Sequence, residues 1–166
     1  DTAVIYHDYS YFWYVCGVLD KALEYNEKAY KIDEELFAEH SITRMRTLNT
    51  KALIIWDQGD YDKACSTLEY IIKTTEQMGN NYLVDLFDFS FNYARCLHEK
   101  GNDTLSKEYY NKCIDIWDSM SGGGSRNLCL VFQEYGDILF SEMNPGEALS
   151  KYESALKYLS LIHISE

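Results

Sequence analysis

Apolar residues along the chain recur at helical spacing, in blocks separated by short polar breaks. The pattern predicts eight helices, over 2–16, 19–37, 41–58, 61–78, 82–100, 103–120, 127–142 and 145–160. The breaks carry their own signals. Gly17, Gly59 and Gly101 supply a left-handed residue that ends a helix, and Asp60, Asn102 and Asn144 follow as N-caps of the next one. Pro145 falls at a first helical position, where its missing N–H costs nothing.

The helices come in a repeat. Gly17, Gly59, Gly101 and Met143 stand 42 residues apart, and whole columns of residues keep that register. Five positions after each stands a small side chain (Ala22, Ala64, Ser106, Ala148), and seven before stands another (Ser10, Ala52, Ala94, Gly136). Large apolar residues lie four before (Trp13, Ile55, Leu97, Leu139). Ala29, Ile71, Cys113 and Ala155 lie twelve after. Small residues at matching places on two helices let their backbones approach, and the large ones fill the seam. Each period is therefore a helical hairpin, and the chain divides into repeats at about 1–37, 38–79, 80–121 and 122–158.

The residues Gln58-Gly59-Asp60-Tyr61-Asp62-Lys63-Ala64, Leu23-Glu24-Tyr25-Asn26-Glu27-Lys28-Ala29 and Tyr152-Glu153-Ser154-Ala155-Leu156 resemble the tetratricopeptide repeat. The resemblance covers the chain as four units, longer than the common period of about 34 residues. Longer units of this kind look like those of kinesin light chains, of bacterial peptide-pheromone receptors, and of sensor segments fused to histidine kinases or DNA-binding domains. It implies an all-α fold, a right-handed superhelix (solenoid) of four antiparallel helix-turn-helix repeats, with the first helix of each repeat lining a concave groove.

Composition agrees with helix and narrows the setting. One proline in 166 residues leaves few obligatory breaks, and 46% hydrophobic residues with 15% aromatics is too much apolar side chain for a disordered chain. Twenty-seven acidic against fifteen basic residues, a net charge of -12, opposes direct binding of nucleic acid, which needs clustered Lys and Arg. The longest apolar stretches, 53–56 and 128–132, fall far short of the ~20 residues of a membrane helix. No membrane partner is expected. Cys16, Cys65, Cys96, Cys113 and Cys129 are odd in number and form no CxxC pair, which reads as buried thiols in a reducing, cytoplasmic setting.

The predicted groove is lined by rings and amides. Three residues before each turn stand Tyr14, Trp56, His98 and Phe140, and two placements fit this column: rings facing a ligand, or rings packed as core between repeats. Asn49, Asn92, Arg95, Gln133 and Asp137 fall on the same inner face. Asn and Gln can bond both the N–H and the C=O of an extended peptide, and a solvated polar face accounts for them equally well. Arg95 can take a ligand carboxylate, unless Asp88 or Glu99 on its own helix neutralises it. The groove positions lack the lysines with which the family's chaperone-tail receptors clamp a carboxylate, so a chaperone tail is a poor ligand candidate.

No catalytic or metal constellation is present in the sequence. His7, His40, His98 and His163 lack metal-binding spacing, and Cys96 and His98, two apart on one helix, face different ways. No cofactor is expected. The run Ser121 to Ser125 lacks the Lys-Ser/Thr of a phosphate loop and reads as a connector about which the fourth repeat can hinge. Residues 159–166 resemble the translation of a transposon-end sequencing adaptor and are set aside, His163 with them. With Asp1 rather than methionine first, residues 1–158 read as a fragment of a longer protein. The expected function is a non-catalytic protein- or peptide-binding scaffold. The alternative is the sensory segment of a bacterial signalling protein, a histidine kinase or a peptide-responsive transcription regulator, whose effector domain lies elsewhere.

Overall fold

The computed structural model describes residues 2–36, 40–120 and 125–164, with side chains as far as Leu161. Among these residues the chain forms eight α-helices and no strand. They are α1 (Thr2–Val15), α2 (Leu19–Leu36), α3 (Ile42–Asp57), α4 (Tyr61–Gln77), α5 (Leu83–Glu99), α6 (Asp103–Ser119), α7 (Arg126–Ser141) and α8 (Pro145–Ile164), with a 3-10 turn at Asn80–Tyr82 before α5. Most predicted ends overshoot by one residue because a capping residue was counted as helix: Ser41, Gln58, Met78, Lys100, Met120 and Glu142 all cap. At its far end α8 continues to Ile164 rather than stopping at 160. The glycine-rich run proposed as a hinge, at 121–124, lies outside the described residues, as does the side chain of His163.

The four turns share one geometry. Gly17, Gly59, Gly101 and Met143 all have positive φ, at 73°, 88°, 83° and 60°. In each turn two N–H groups bond back to the end of the preceding helix, as in Gly59 N to Trp56 O at 2.8 Å and Asp60 N to Ile55 O at 3.2 Å. The same pair of bonds recurs at Gly17, Gly101 and Met143 and satisfies carbonyls that the helix end would otherwise orphan. Next, Asp60, Asn102 and Asn144 accept bonds from Lys63 N, Leu105 N and Glu147 N. The sequence period is thus a period of helix–turn–helix geometry.

Packing follows the same register. Every member of the two small columns is buried, and the columns meet within a hairpin: Ser10 Oγ donates to Ala22 O at 2.9 Å and Ser106 Oγ to Ala94 O at 2.7 Å. Each helix packs on its neighbours in the chain, and α1 also meets α3, and α3 meets α5. The first helices of successive hairpins therefore stand side by side on one face, with the second helices outside them, and the architecture is an all-α solenoid. Its core is a row of seams, with Met45, Leu68, Phe87, Phe89, Tyr110, Leu128 and Ile138 buried in the α3–α8 part. The α2–α3 seam is polar instead: Asn26 Nδ2 donates to Thr47 O at 2.9 Å, and Thr47 Oγ1 donates to the buried Asp33 at 2.7 Å.

Candidate functional site

The face formed by α1, α3, α5 and α7 holds two depressions. The larger, about 390 Å³, is lined by residues of all four helices, among them His7, Asn49, Thr50, Asp88, Asn92 and Asn127. A smaller one of about 130 Å³ lies beside it, lined by Trp56, Arg95, His98, Glu99, Tyr110, Glu134 and Asp137. Of the residues expected in the groove, Asn49 and Asn92 fall in the first, and Trp56, Arg95, His98 and Asp137 in the second. Tyr14, Gln133 and Phe140 line neither.

Helix-to-helix bonds set the shape of the larger depression. Asn92 Nδ2 donates to Asn49 Oδ1 at 3.1 Å, so the two amides reach each other across α3 and α5. One step toward the N-terminus the contact recurs, Thr50 Oγ1 lying 3.2 Å from His7 Nε2. Arg46 makes a two-toothed pair with Asp85, Nε to Oδ1 at 2.5 Å and Nη2 to Oδ2 at 2.9 Å. Asn127 Nδ2 donates to Asp88 Oδ1 at 3.3 Å, while burial pushes the Asp88 carboxyl above its ordinary range. Leu53, Phe89 and Phe91 supply apolar wall between these polar groups.

Arg95 organises the smaller depression. Its Nε lies 3.2 Å from Glu134 Oε2, and its guanidinium stacks 5.2 Å from the Trp56 ring and 5.6 Å from that of Phe91. The expected partners on its own helix are corrected here. Asp88 is engaged by Asn127, and the carboxylate that meets Arg95 comes from α7. Burial raises the Glu134 carboxyl, opposed by the charge of Arg95 and by the hydroxyl of Tyr110, which donates to it at 2.9 Å.

The ring column is mixed: Trp56 packs against the core cluster, whereas His98 and Phe140 are exposed. Trp56 is half-buried, with the Arg95 guanidinium over its ring. His98 is exposed, with Nδ1 2.6 Å from Asp103 Oδ1. Phe140 is 63% exposed beside Met143 and Pro145. Tyr14 is half-buried, and burial and the neighbouring Asp57 carboxylate push its phenol up to about 12. The column sits where each first helix ends, and the Trp56 ring has a cation of the following repeat, Arg95, over it.

Arg46, Thr50, Asp85, Asn127 and Glu134 were not singled out from the sequence, and His7 and Asp88 were weighed there only as a metal ligand and as a partner of Arg95. The signal was present in the period. Arg46–Asp85 and Asp88–Asn127 are separated by 39 residues, Arg95–Glu134 repeats that separation, and the His7–Thr50 and Asn49–Asn92 contacts are separated by 43. A period of 42 less three, or plus one, brings neighbouring first helices together across the groove. Cys96 is buried against Cys65, their Sγ atoms 2.9 Å apart, and does not meet the exposed His98. Among the described residues no three His, Cys, Asp or Glu side chains gather to hold a metal ion, and no helix is long and apolar enough to cross a membrane.

Comparison with known proteins bears on the fold. Residues 87–116, in α5 and α6, match the family model of the tetratricopeptide repeat. The TPR-like repeats assigned to a kinesin light chain of Podosopora anserina superpose with a TM-score of 0.79 at 14% identity, over 93% of this chain and 74% of that one. A Rap protein complexed with competence and sporulation factor gives 0.84 at 13% identity, over 96% and 44%. BtubC of P. vanneervenii gives 0.84 at 16% identity, over 97% and 64%. This chain therefore spans less than two thirds of the last two. No curated protein matches the sequence.

Proposed function

We propose that this chain, whose fold is that of tetratricopeptide-type helical repeats, is a non-catalytic scaffold that holds a peptide segment of a partner in the groove of α1, α3, α5 and α7. The observation that carries the reading is the pair Asn49 and Asn92, side by side on the wall of the 390 Å³ depression. Their mutual bond uses one N–H of Asn92 and the oxygen of Asn49. The Asn49 amide N–H groups and the Asn92 oxygen then face an incoming chain with the donor and acceptor that an extended backbone needs. Phe89, Phe91 and Leu53 provide apolar area for its side chains, and Trp56 with Arg95 marks the far end of the same track.

The groove's own cations are already paired, Arg46 with Asp85 and Arg95 with Glu134. With a net charge of -12 on the whole chain, the groove favours a neutral or basic segment over an acidic one, and its binding weakens as salt rises. A narrower reading makes the groove the sensor of a bacterial signalling protein. The support for it is the shared fold of the Rap protein solved with competence and sporulation factor.

Selection of binders from a random-peptide display library against residues 1–166, followed by titration of the selected peptides, tests the proposal. Asn92→Ala and Trp56→Ala should each weaken binding by about tenfold, the loss of one good contact. Peptides that bind both variants as tightly as the parent chain would retire the groove.

A further inference from the structure

Two of the five cysteines meet inside the molecule. Cys65 on α4 and Cys96 on α5 are both buried and stand 31 residues apart in the chain, yet their Sγ atoms are 2.9 Å apart. A disulfide needs about 2.05 Å between its sulfurs, so the pair lies within about 1 Å of bonding distance. The two belong to different hairpins, and the packing of the second hairpin on the third brings them together. Equivalent positions in the neighbouring seams hold other residues. One period back the pair is Leu23 and Ile54, and one period on it is Lys107 and Ile138. The middle seam thus carries two thiols where its neighbours carry none.

The two thiols differ in reactivity. Contact with Cys96 shifts the Cys65 thiol below its ordinary range, against burial, and the charge of Lys100 acts in the same direction. Contact with Cys65 and burial push the Cys96 thiol up. Cys65 is therefore the sulfur that attacks first, and Cys96 the one that resolves. The remaining cysteines are placed otherwise. Cys113 Sγ bonds Phe87 O at 3.8 Å, Cys16 is exposed just after α1, and Cys129 is half-buried on α7.

We propose that Cys65 and Cys96 are a reversible disulfide site, closed by a low-molecular-weight disulfide of the glutathione class, which pins the second hairpin to the third. The Cys65 thiolate attacks one sulfur of the reagent: a bond from Cys65 Sγ to that sulfur forms, the reagent's S–S bond breaks, and one small thiolate leaves and takes up a proton. Cys96 gives its proton to solvent, attacks Cys65 Sγ and expels the second small thiolate. Two protein thiols are oxidised, and one small disulfide is reduced to two small thiols. Excess small thiol runs both steps backwards, so the seam is unbridged in a reducing setting and closes as the disulfide fraction rises. Both sulfurs are buried, so entry of the reagent waits for the seam to part. Once made, the bond restricts the unfolded chain by closing a long loop. Because α3 packs on α4, it also fixes α3 relative to α5, and with them the register of Asn49 on Asn92 and of Trp56 on Arg95.

A glutathione series from reduced to oxidised, applied to folded residues 1–166, tests the proposal. Remaining thiols are trapped with N-ethylmaleimide in denaturant, and the chain is cut with trypsin without reduction. Cleavage after Lys63, Lys73, Arg95 and Lys100 puts the two sulfurs on separate peptides, 64–73 and 96–100. Oxidised samples should contain these two joined, two hydrogens lighter than their sum, with Cys113 and Cys129 outside any joined peptide and Cys16 carrying glutathione. Oxidation should raise the urea midpoint by about 1 M, and excess dithiothreitol should return it. Cys96→Ala should lose both the joined peptide and the rise, with circular dichroism checking its fold; the reduced parent chain is the control should that variant unfold. Peptides 64–73 and 96–100 that stay apart in samples whose Cys16 is fully glutathionylated would overturn the proposal. So would equal pairing of Cys65 or Cys96 with Cys113 or Cys129, or a joined peptide whose reduction leaves the midpoint unmoved.

Discussion

The ring of Tyr152 lies where a side chain on Gly136 would begin: a Cβ on Gly136 would stand 2.6 Å from Tyr152 Cε1. The ring is held there by its hydroxyl, which donates to Asp137 at 2.8 Å. One period earlier, Ala94 fills the Gly136 position, and Tyr110, the counterpart of Tyr152, turns to Glu134 and Tyr135 of the next helix instead. An unobstructed Gly→Ala change inside a helix stabilises by about 1 kcal/mol, whereas forcing a methyl into filled space costs about 1–3 kcal/mol. Gly136→Ala should therefore lower stability by about 1 kcal/mol in urea unfolding. On a Tyr152→Ala background the same change should reverse sign. A stabilising Gly136→Ala in the parent chain would show that the ring yields freely.

The fourth turn places a side chain where the other three have glycine. Met143 has φ 60° and is 89% exposed, so no packing compensates for the left-handed backbone. Met143→Gly should stabilise the chain by about 1 kcal/mol, the steric cost of a Cβ in that conformation. Gly59→Ala should cost about the same, through the backbone alone, because nothing lies within 4 Å of the added Cβ. Denaturant midpoints of the two variants, moving in opposite directions, check both statements.

Much of this fold was legible because the local signals repeat. Three glycine turns, three Asp or Asn caps and four pairs of small residues agree in register, so each helix was placed to within a residue at nearly every end. The groove was legible in part. Asn49, Asn92, Trp56 and Arg95 were found from the face they occupy, which a helical period fixes. How they pair was missed, because pairing depends on the stagger between neighbouring first helices. Arg95 has two acidic candidates on its own helix, and the sequence alone does not rank them below Glu134, 39 residues away. Nor does periodicity reveal Asn26 and Asp33 as buried, since polar residues at inward positions run against the pattern.

Asp33 is fully buried, and burial holds its carboxyl above the ordinary range, opposed by the Thr47 hydroxyl and the nearby His7. A carboxyl whose folded pKa exceeds its unfolded value destabilises the fold while ionised. That cost is complete above the folded pKa and disappears as pH falls toward the unfolded value. Asp33→Asn keeps an oxygen for Thr47 and removes the charge, so it should be more stable than the parent at neutral pH. The advantage should shrink as samples are acidified toward the ordinary carboxylate pKa of ~4. Thermal melts of the pair across that range provide the check, and an advantage that grows on acidification would contradict the assignment.

Thiol reactivity reports on the seams directly, because the attacking species is the thiolate and needs access to the reagent. All five cysteines are free, but only Cys16 is exposed; Cys129 is half-buried, and Cys65, Cys96 and Cys113 are buried. Contact with Cys65 and burial push the Cys96 thiol up, and burial does the same to Cys113 and Cys129. Cys65 is shifted the other way by its contact with Cys96, yet it lies inside the α4–α5 seam, where a reagent reaches it only when the seam opens. Brief alkylation of the folded chain should therefore mark Cys16 first and Cys129 slowly. Cys65, Cys96 and Cys113 should follow together at the rate of opening. Peptide mass spectrometry after timed quenching reads the order, and all five should react alike once the chain is unfolded in denaturant. Labelling of Cys65 as fast as Cys16 in the folded chain would mean that the seam between the second and third hairpins stands open in solution.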